Sequence, residues 1–395
     1  MNTAPKSRVA VVRGPYLNPF EMQTYTMLQS QFDLTAFATH DNFFDISQVE
    51  VPVHRLHRPK EIGFGIPHWR GMVNLTMRAI FGSEECMLGL ERALKGYDLV
   101  HTVETYNYFS WQVVQVKTRI GVPVVLTVWD NIPHNHDDIP RYARCKSAVR
   151  EKADLFLAVT NRARTALLKE GIDAKKVRVV GAGVDVERFQ PGIGASQWRS
   201  RFGLSEEGVV VLFVGSLIQA KGVCDLLVAA KILLESDILQ QGVHHILIVG
   251  EGSEALRLRT ATERMGLASF VTFSGRISYT DMPAIHRLAD IFVLPSIPTP
   301  IWEEQFGMVL VESMASGKAV VSTQSGSIPE VVGDAGVLVP PGDPGALAQE
   351  LGRLLCDEAW RNELGHRARQ RVVSTYAHDI VAERIADAYR SVLRM

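Results

Sequence analysis

Short, almost wholly apolar runs recur along this chain, separated by longer stretches in which apolar residues return every three or four positions. Residues 8–13, 34–38, 97–101, 122–128, 153–160 and 176–180 form one series of such runs. A second series comprises 209–215, 245–249, 291–296 and 319–322, with one more strand ahead of Gly275. Runs this short and this uniformly apolar predict strands buried on both faces, as in a parallel sheet. The intervening periodicity predicts helices at 21–30, after Thr160, from Val223, at 281–289, at 308–316 and at 376–393. Strands alternating with helices in this way predict an α/β chain of doubly wound sheets.

At 395 residues the chain exceeds one ordinary core, so two domains are expected. The turn Gly181-Ala-Gly-Val-Asp185 divides the two series. The expected limits are 1–188 for the first domain, 189–375 for the second, and 376–395 for a last amphipathic helix.

Composition narrows the possible partners. A hydrophobic fraction of 46% and a charged fraction of 22% are those of a globular protein. The net charge of −1 argues against wholesale nucleic-acid binding. Residues 1–190 carry 24 Lys/Arg against 20 Asp/Glu, and the remainder 18 against 23, a modest asymmetry. Four scattered cysteines, none in a Cys-x-x-Cys, read as reduced thiols in a cytoplasmic protein. No signal-peptide core or membrane-length apolar run is evident. Residues 54–82 interleave Arg55, Arg58, Lys60, Arg70 and Arg78 with Phe64, Trp69, Met72 and Phe81. Such a segment reads either as an amphipathic element packed on the sheet or as a peripheral membrane contact.

The most informative stretch is 304–331. Glu304 and Glu312 are separated by seven residues, Glu304 in the loop after the strand 291–296 and Glu312 within the next helix. Ligands of an open α/β sheet bind outside the carboxyl ends of the strands. Glu304, the Phe306–Gly307 backbone and the helix N-terminus therefore aim at one crevice, where N–H groups suit phosphate and carboxylates suit sugar hydroxyls. Two solvated surface glutamates are the plainer reading of the spacing. A second candidate is the loop Ser216-Leu-Ile-Gln-Ala-Lys221-Gly222, whose lysine precedes a helix and can neutralise a diphosphate.

The run Glu304-Gln-Phe-Gly-Met-Val-Leu-Val-Glu312, with Met-Ala-Ser-Gly-Lys-Ala-Val-Val-Ser and Gly326-Ser-Ile-Pro-Glu after it, resembles the signature of retaining glycosyltransferases of family four. Other pieces resemble that family in order along essentially the whole chain. These are the strand ending at Gly215, the Lys221-Gly222 loop, Gly250-x-Gly252 and Phe273-Ser-Gly-Arg-Ile277. The resemblance implies the GT-B fold, two Rossmann-like domains facing a cleft with the helix 376–395 crossing back to the first. It also implies transfer of a sugar from a nucleoside-diphosphate-sugar donor, UDP- or GDP-linked, to an acceptor hydroxyl. It implies that Glu304 holds the donor sugar, Glu312 the ribose, and Lys221 the diphosphate. Gly14, Gly215, Ser216, Gly250, Gly252, Arg276, Ile277, Phe306, Gly307, Met308 and Val309 would line the nucleotide-sugar path. No cofactor is implied, and because no Asp-x-Asp occurs, no metal is expected. The sequence departs from the family at Trp129, where a histidine is usual, leaving Asp130 as the catalytic candidate of that strand, and at Ser216, where an arginine is usual. A nucleotide-sugar epimerase of the same fold and a catalytically silent binding subunit are the alternatives.

Overall fold

The computed structural model describes residues 5–62, 85–192, 196–205, 207–241 and 244–394. The chain divides into two compact units. Met1–Gly183 and His378–Met395 make one, and Val184–Ala377 makes the other.

The first unit is built on seven parallel strands: β1 (Arg8–Gly14), β2 (Asp33–Thr39), β3 (Val53–Leu56), β4 (Leu99–Val103), β5 (Val124–Val128), β6 (Leu155–Ala158) and β7 (Val177–Val179). Their order is β3-β2-β1-β4-β5-β6-β7, so the winding reverses between β1 and β4. Val9, Val11, Val100, Val124, Leu126 and Phe156 have no exposure, as expected for strands covered by helices on both faces. Helix Pro19–Leu28 begins as the sequence dictates, with Pro19 in its first turn and the Asn18 side chain accepting from the Glu21 amide at 2.8 Å. The C-terminal helix His378–Leu393 belongs to this unit, where Val381, Ile385, Tyr389 and Val392 are buried in the cluster that also holds Tyr25 and Leu28.

Polar residues lie beneath the carboxyl edge of this sheet. Arg13, fully buried at the end of β1, donates to Glu21 at 3.1 Å and to the Tyr25 hydroxyl. His101 on β4 bonds the Tyr389 hydroxyl through Nδ1 at 2.6 Å and Thr127 Oγ1 through Nε2 at 2.8 Å. Burial and the Arg13 charge hold its pKa well below the usual histidine value.

The segment expected to be amphipathic looks different where it is described. Val53–Leu56 is an edge strand paired with β2, and Arg58 is buried, ion-paired with Asp41. Arg58 is therefore not a solvated cation available to a lipid headgroup. Of the remaining residues in that expectation, Arg70, Arg78, Phe64, Trp69, Met72 and Phe81 lie outside the described residues. Among the described residues no helix is long and apolar enough to cross a membrane.

The second unit holds β8 (Val210–Val214), β9 (His245–Val249), β10 (Val271–Gly275), β11 (Ile291–Leu294), β12 (Ala319–Thr323) and β13 (Val337–Val339), all parallel. Their order, β10-β9-β8-β11-β12-β13, repeats the pattern of the first unit and reverses between β8 and β11. Both units are thus doubly wound α/β folds, the class that the alternation of apolar runs predicts.

Candidate functional site

A doubly wound sheet opens a crevice where its winding reverses, outside the carboxyl ends of the two central strands. In the second unit those strands are β8 and β11, and their ends release Gly215-Ser216 and Pro295-Ser296. The loop after β8 makes one 3-10 turn, Gln219–Lys221, before the long helix Val223–Glu235. The loop after β11 runs through Trp302 to Glu304, Phe306 and Gly307, and opens helix Met308–Ala315.

Two residues 83 positions apart meet there. Lys221 Nζ lies 2.6 Å from Glu304 Oε2, with side-chain exposures of 18% and 9%. Ser296 Oγ donates to the same carboxylate oxygen at 2.9 Å. The Lys221 ammonium also sits 4.8 Å from the centre of the Trp302 ring. Low exposure strengthens such a pair relative to a surface one, and the hydroxyl and ring fix its geometry. The backbone of Glu304 is held as well. Its carbonyl accepts from Ser327 N at 2.8 Å, and a Cβ on Gly326 would fall 2.1 Å from that oxygen. Only glycine lets the β12 loop come so close.

Gly307 caps helix Met308–Ala315 with φ +83°, so the helix N-terminus turns directly out of the Glu304 loop. The Phe306 side chain is buried edge-on against Tyr376, 5.3 Å between ring centres. Met308 and Val309 are half-buried. Glu312, almost fully buried one turn in, accepts from the Tyr279 hydroxyl at 3.0 Å.

The glycines serve close packing. A Cβ on Gly250 would lie 1.9 Å from the Gly215 carbonyl, and one on Gly252 would lie 2.3 Å from the Leu217 carbonyl. They bring the β9 loop onto the β8 loop. Ser216 and Gly252 are exposed, Ile277 is half-buried, and the Arg276 side chain is 81% exposed, 3.9 Å from Glu251. Arg276 thus stands in solvent, outside the Lys221–Glu304 cluster. In the first unit Gly14 faces the Phe109 ring, 2.7 Å from where a Cβ would stand.

Asp130 lies in the first unit, at the end of β5. Its Oδ1 accepts from Ile132 N and Asn135 Nδ2, both at 3.2 Å, and burial raises its pKa. Its neighbour Glu104 follows β4 with a left-handed φ of +60° and is 6% exposed. Glu104 Oε1 accepts from the amides of Trp129, at 2.8 Å, and Asp130, at 3.2 Å. Among the described residues Oε2 is buried without a hydrogen-bond partner. Burial, then the Asp130 charge, pushes the Glu104 carboxyl up to about 8. His134 and His136, also left-handed, are engaged by Asp137 at 3.0 Å and by the Tyr106 and Tyr142 rings.

Ser296, Trp302 and Tyr279 therefore join the site beside the expected residues. Ser296 closes the apolar run of β11, and that position at a switch-point strand is the one signal that could have singled it out. Among the described residues no group of three or more His, Cys, Asp or Glu side chains could hold a metal ion.

The "Glycosyl transferases group 1" family model matches residues 195–371, and the "Glycosyl transferase 4-like domain" model matches residues 24–183. The chain is 34% identical over 294 residues to a D-inositol 3-phosphate glycosyltransferase of Corynebacterium jeikeium, the match covering 69% of this chain and 67% of that one. It is 33% identical to the protein of the same name from Thermomonospora curvata, covering 74% and 71%. For the Streptomyces bingchenggensis protein, 30% identical, the match spans 61% of this chain and only 54% of the relative. Among solved structures, Anabaena HepE in complex with UDP and glucose is similar with a TM-score of 0.76 at 18% identity, covering 98% and 100%. The sucrose-phosphate synthase of Thermosynechococcus elongatus is similar with a TM-score of 0.75 at 20% identity, covering 98% and 100%. Likeness at such low identity speaks for the fold.

Proposed function

The chain belongs to the group 1 glycosyltransferases, and from that premise we propose that it moves a sugar from a nucleoside-diphosphate-sugar donor to an acceptor hydroxyl, with retention at the anomeric carbon and without a metal ion. The observation that carries the reading is the Lys221–Glu304 pair at the switch point between β8 and β11. An ammonium has three N–H donors. Lys221 can therefore keep its bond to Glu304 while giving another to the donor's diphosphate. The N-terminus of helix Met308–Ala315 adds backbone N–H groups and its positive end, which suit the same phosphates. Glu304, steadied by Lys221 and Ser296, accepts hydrogen bonds from the sugar hydroxyls and orients the anomeric carbon. Glu312 meets the ribose.

In the reaction the anomeric C–O bond to the diphosphate breaks and a bond to the acceptor oxygen forms on the same face. The acceptor proton passes to a donor phosphate oxygen, and the departing diphosphate is stabilised by Lys221 and the helix dipole. HepE, crystallised with UDP and with UDP-glucose, supports a uridine-linked donor, with guanosine as the alternative. Relatives called D-inositol 3-phosphate glycosyltransferases support a polyol or glycan hydroxyl as acceptor.

The test is a thermal-shift screen of UDP, GDP and ADP in buffer containing EDTA. Ligand at a hundredfold excess over its Kd stabilises the folded state by about 2.7 kcal/mol, a readable rise in Tm. A shift with one diphosphate, unchanged by the chelator, is the expected result. If none of the three raises Tm, or the rise appears only when Mg²⁺ or Mn²⁺ is restored, the proposal fails on donor or on metal independence respectively.

A further inference from the structure

Glu312 is held by groups that the family motif does not contain. Its Oε1 accepts from the Tyr279 hydroxyl at 3.0 Å, and its Oε2 lies 3.6 Å from His286 Nε2. Tyr279 is itself pinned. The Arg188 guanidinium stacks 4.4 Å from its ring centre and donates to its carbonyl. His286, on helix Met282–Leu288, has no exposure and sits between the rings of Phe189 and Phe292, at 5.6 and 5.7 Å. Neither of its ring nitrogens has a hydrogen-bond partner among the described residues. Arg369 fixes the far end of Glu312's helix by donating to the carbonyls of Ala315, Val186 and Phe189.

A buried imidazole with both nitrogens unpaired is costly, on the order of 1–3 kcal/mol per orphaned group. The Glu312 carboxylate is a polar group within reach of its Nε2. A shift of a few tenths of an ångström brings Oε2 into a hydrogen bond with Nε2, so the histidine holds the carboxylate toward itself. An ionised carboxylate has about four lone-pair positions, two on each oxygen. With Tyr279 on one oxygen and His286 beside the other, each oxygen keeps a position free. Two parallel acceptors on a clamped carboxylate match the vicinal 2′ and 3′ hydroxyls of a ribose.

We propose that Tyr279 and His286 are positioning residues that clamp Glu312 for bidentate recognition of the donor's ribose, and so set the preference for ribonucleotide over 2′-deoxyribonucleotide. This rests on the reading above that Glu312 meets the ribose. Without the clamp, the carboxylate regains side-chain freedom and loses the alignment that makes the second hydroxyl count.

The experiment is calorimetric titration of UDP and 2′-deoxy-UDP into the full chain, for wild type and three sets of variants. Wild type is expected to prefer UDP by about tenfold or more, the worth of a charge-assisted hydrogen bond. Tyr279→Phe keeps the ring and the Arg188 stack. It should weaken UDP by about threefold to tenfold, the worth of one lost hydrogen bond, and leave 2′-deoxy-UDP unchanged. His286→Leu should do the same, and His286→Gln, which restores an N–H near the Nε2 position, should recover the preference. A uniform loss for both nucleotides, or an unchanged ratio in both Tyr279→Phe and His286→Leu, overturns the clamp. Glu312→Gln separates the two failures. If it leaves the preference intact, or wild type has none, the ribose reading itself falls. If it abolishes the preference while the clamp variants keep it, only the clamp falls.

Discussion

Replacing Glu104 by glutamine should stabilise the first unit at alkaline pH. The side chain is 6% exposed, with Oε1 taken by two backbone amides and Oε2 unpaired among the described residues. Its carboxyl, ordinarily near 4.5, is raised to about 8 in the folded chain. Between those values the folded state holds a proton that the unfolded state has lost, so stability falls as pH rises. The contribution is complete below the unfolded value and is lost progressively up to the folded one. At 1.36 kcal/mol per unit, the span amounts to about 5 kcal/mol at most. Glutamine keeps an oxygen for the Trp129 and Asp130 amides and has no charge to desolvate. Tm measured by circular dichroism at intervals from pH 4.5 to 9 should therefore coincide for the two proteins at the acid end and diverge upward in pH. Each kcal/mol recovered corresponds to roughly 2–4 °C for a unit of this size, so a fifth of the calculated gap is measurable. Asp130, also raised by burial, faces Glu104, so the gap between the two curves belongs to the pair and not to Glu104 alone. Parallel curves across the range would refute the assignment of a proton to Glu104.

Three further outcomes follow from the described contacts. Lys221→Ala should depress turnover more than it depresses binding of the nucleoside monophosphate, measured by initial rates and calorimetry; equal losses point to a structural role. Glu304→Ala should lower turnover about a hundredfold or more while affinity for sugar-free UDP changes little, because its contacts act on the sugar in the transition state. Loss of UDP affinity instead would assign the carboxylate to the nucleotide. Tyr389→Phe removes the nearer partner of His101 Nδ1, leaving the Tyr25 hydroxyl at 3.4 Å, and should cost about 1 kcal/mol in denaturant unfolding. The His101 pKa is depressed in the folded state, so wild type should also lose stability as pH falls below the ordinary histidine value. A flat acid limb together with an unchanged denaturant midpoint in the variant would contradict this account.

Most of the architecture is legible in the sequence because parallel strands covered on both faces appear as unbroken apolar runs. The strands that escape the reading are β3 and β13, each at a sheet edge. Val53–Leu56 carries exposed His54 and Arg55, and Val337–Val339 is only three residues long. An edge strand buries less, so its pattern is weaker. At the site, Glu304, Glu312 and Lys221 stand out by their places after apolar runs and by the resemblance of those stretches to the family signature. The bond between Lys221 and Glu304 does not, since no local pattern reports a contact across 83 positions. Tyr279 and His286 were invisible for a related reason. Each resembles an ordinary aromatic residue of its segment, and only the fold sets them beside a carboxylate. Arg276 shows the converse, a cation in a plausible loop that the structure leaves in water.

The first unit takes its last helix from the end of the chain, which has a consequence for how the protein is made. A ribosome releases residues 5–183 long before His378–Leu393 exists, and until then the apolar face lined by Tyr25, Leu28 and Phe32 lacks its cover. The second unit, Val184–Ala377, is one uninterrupted stretch and needs nothing that follows it. At roughly 5–20 residues per second, its synthesis keeps the first unit incomplete for on the order of 10–40 seconds. The later unit is thus the first that can finish folding, while the earlier one still shows an uncovered apolar face. A stop codon within the last eighteen residues would therefore strike the N-terminal unit.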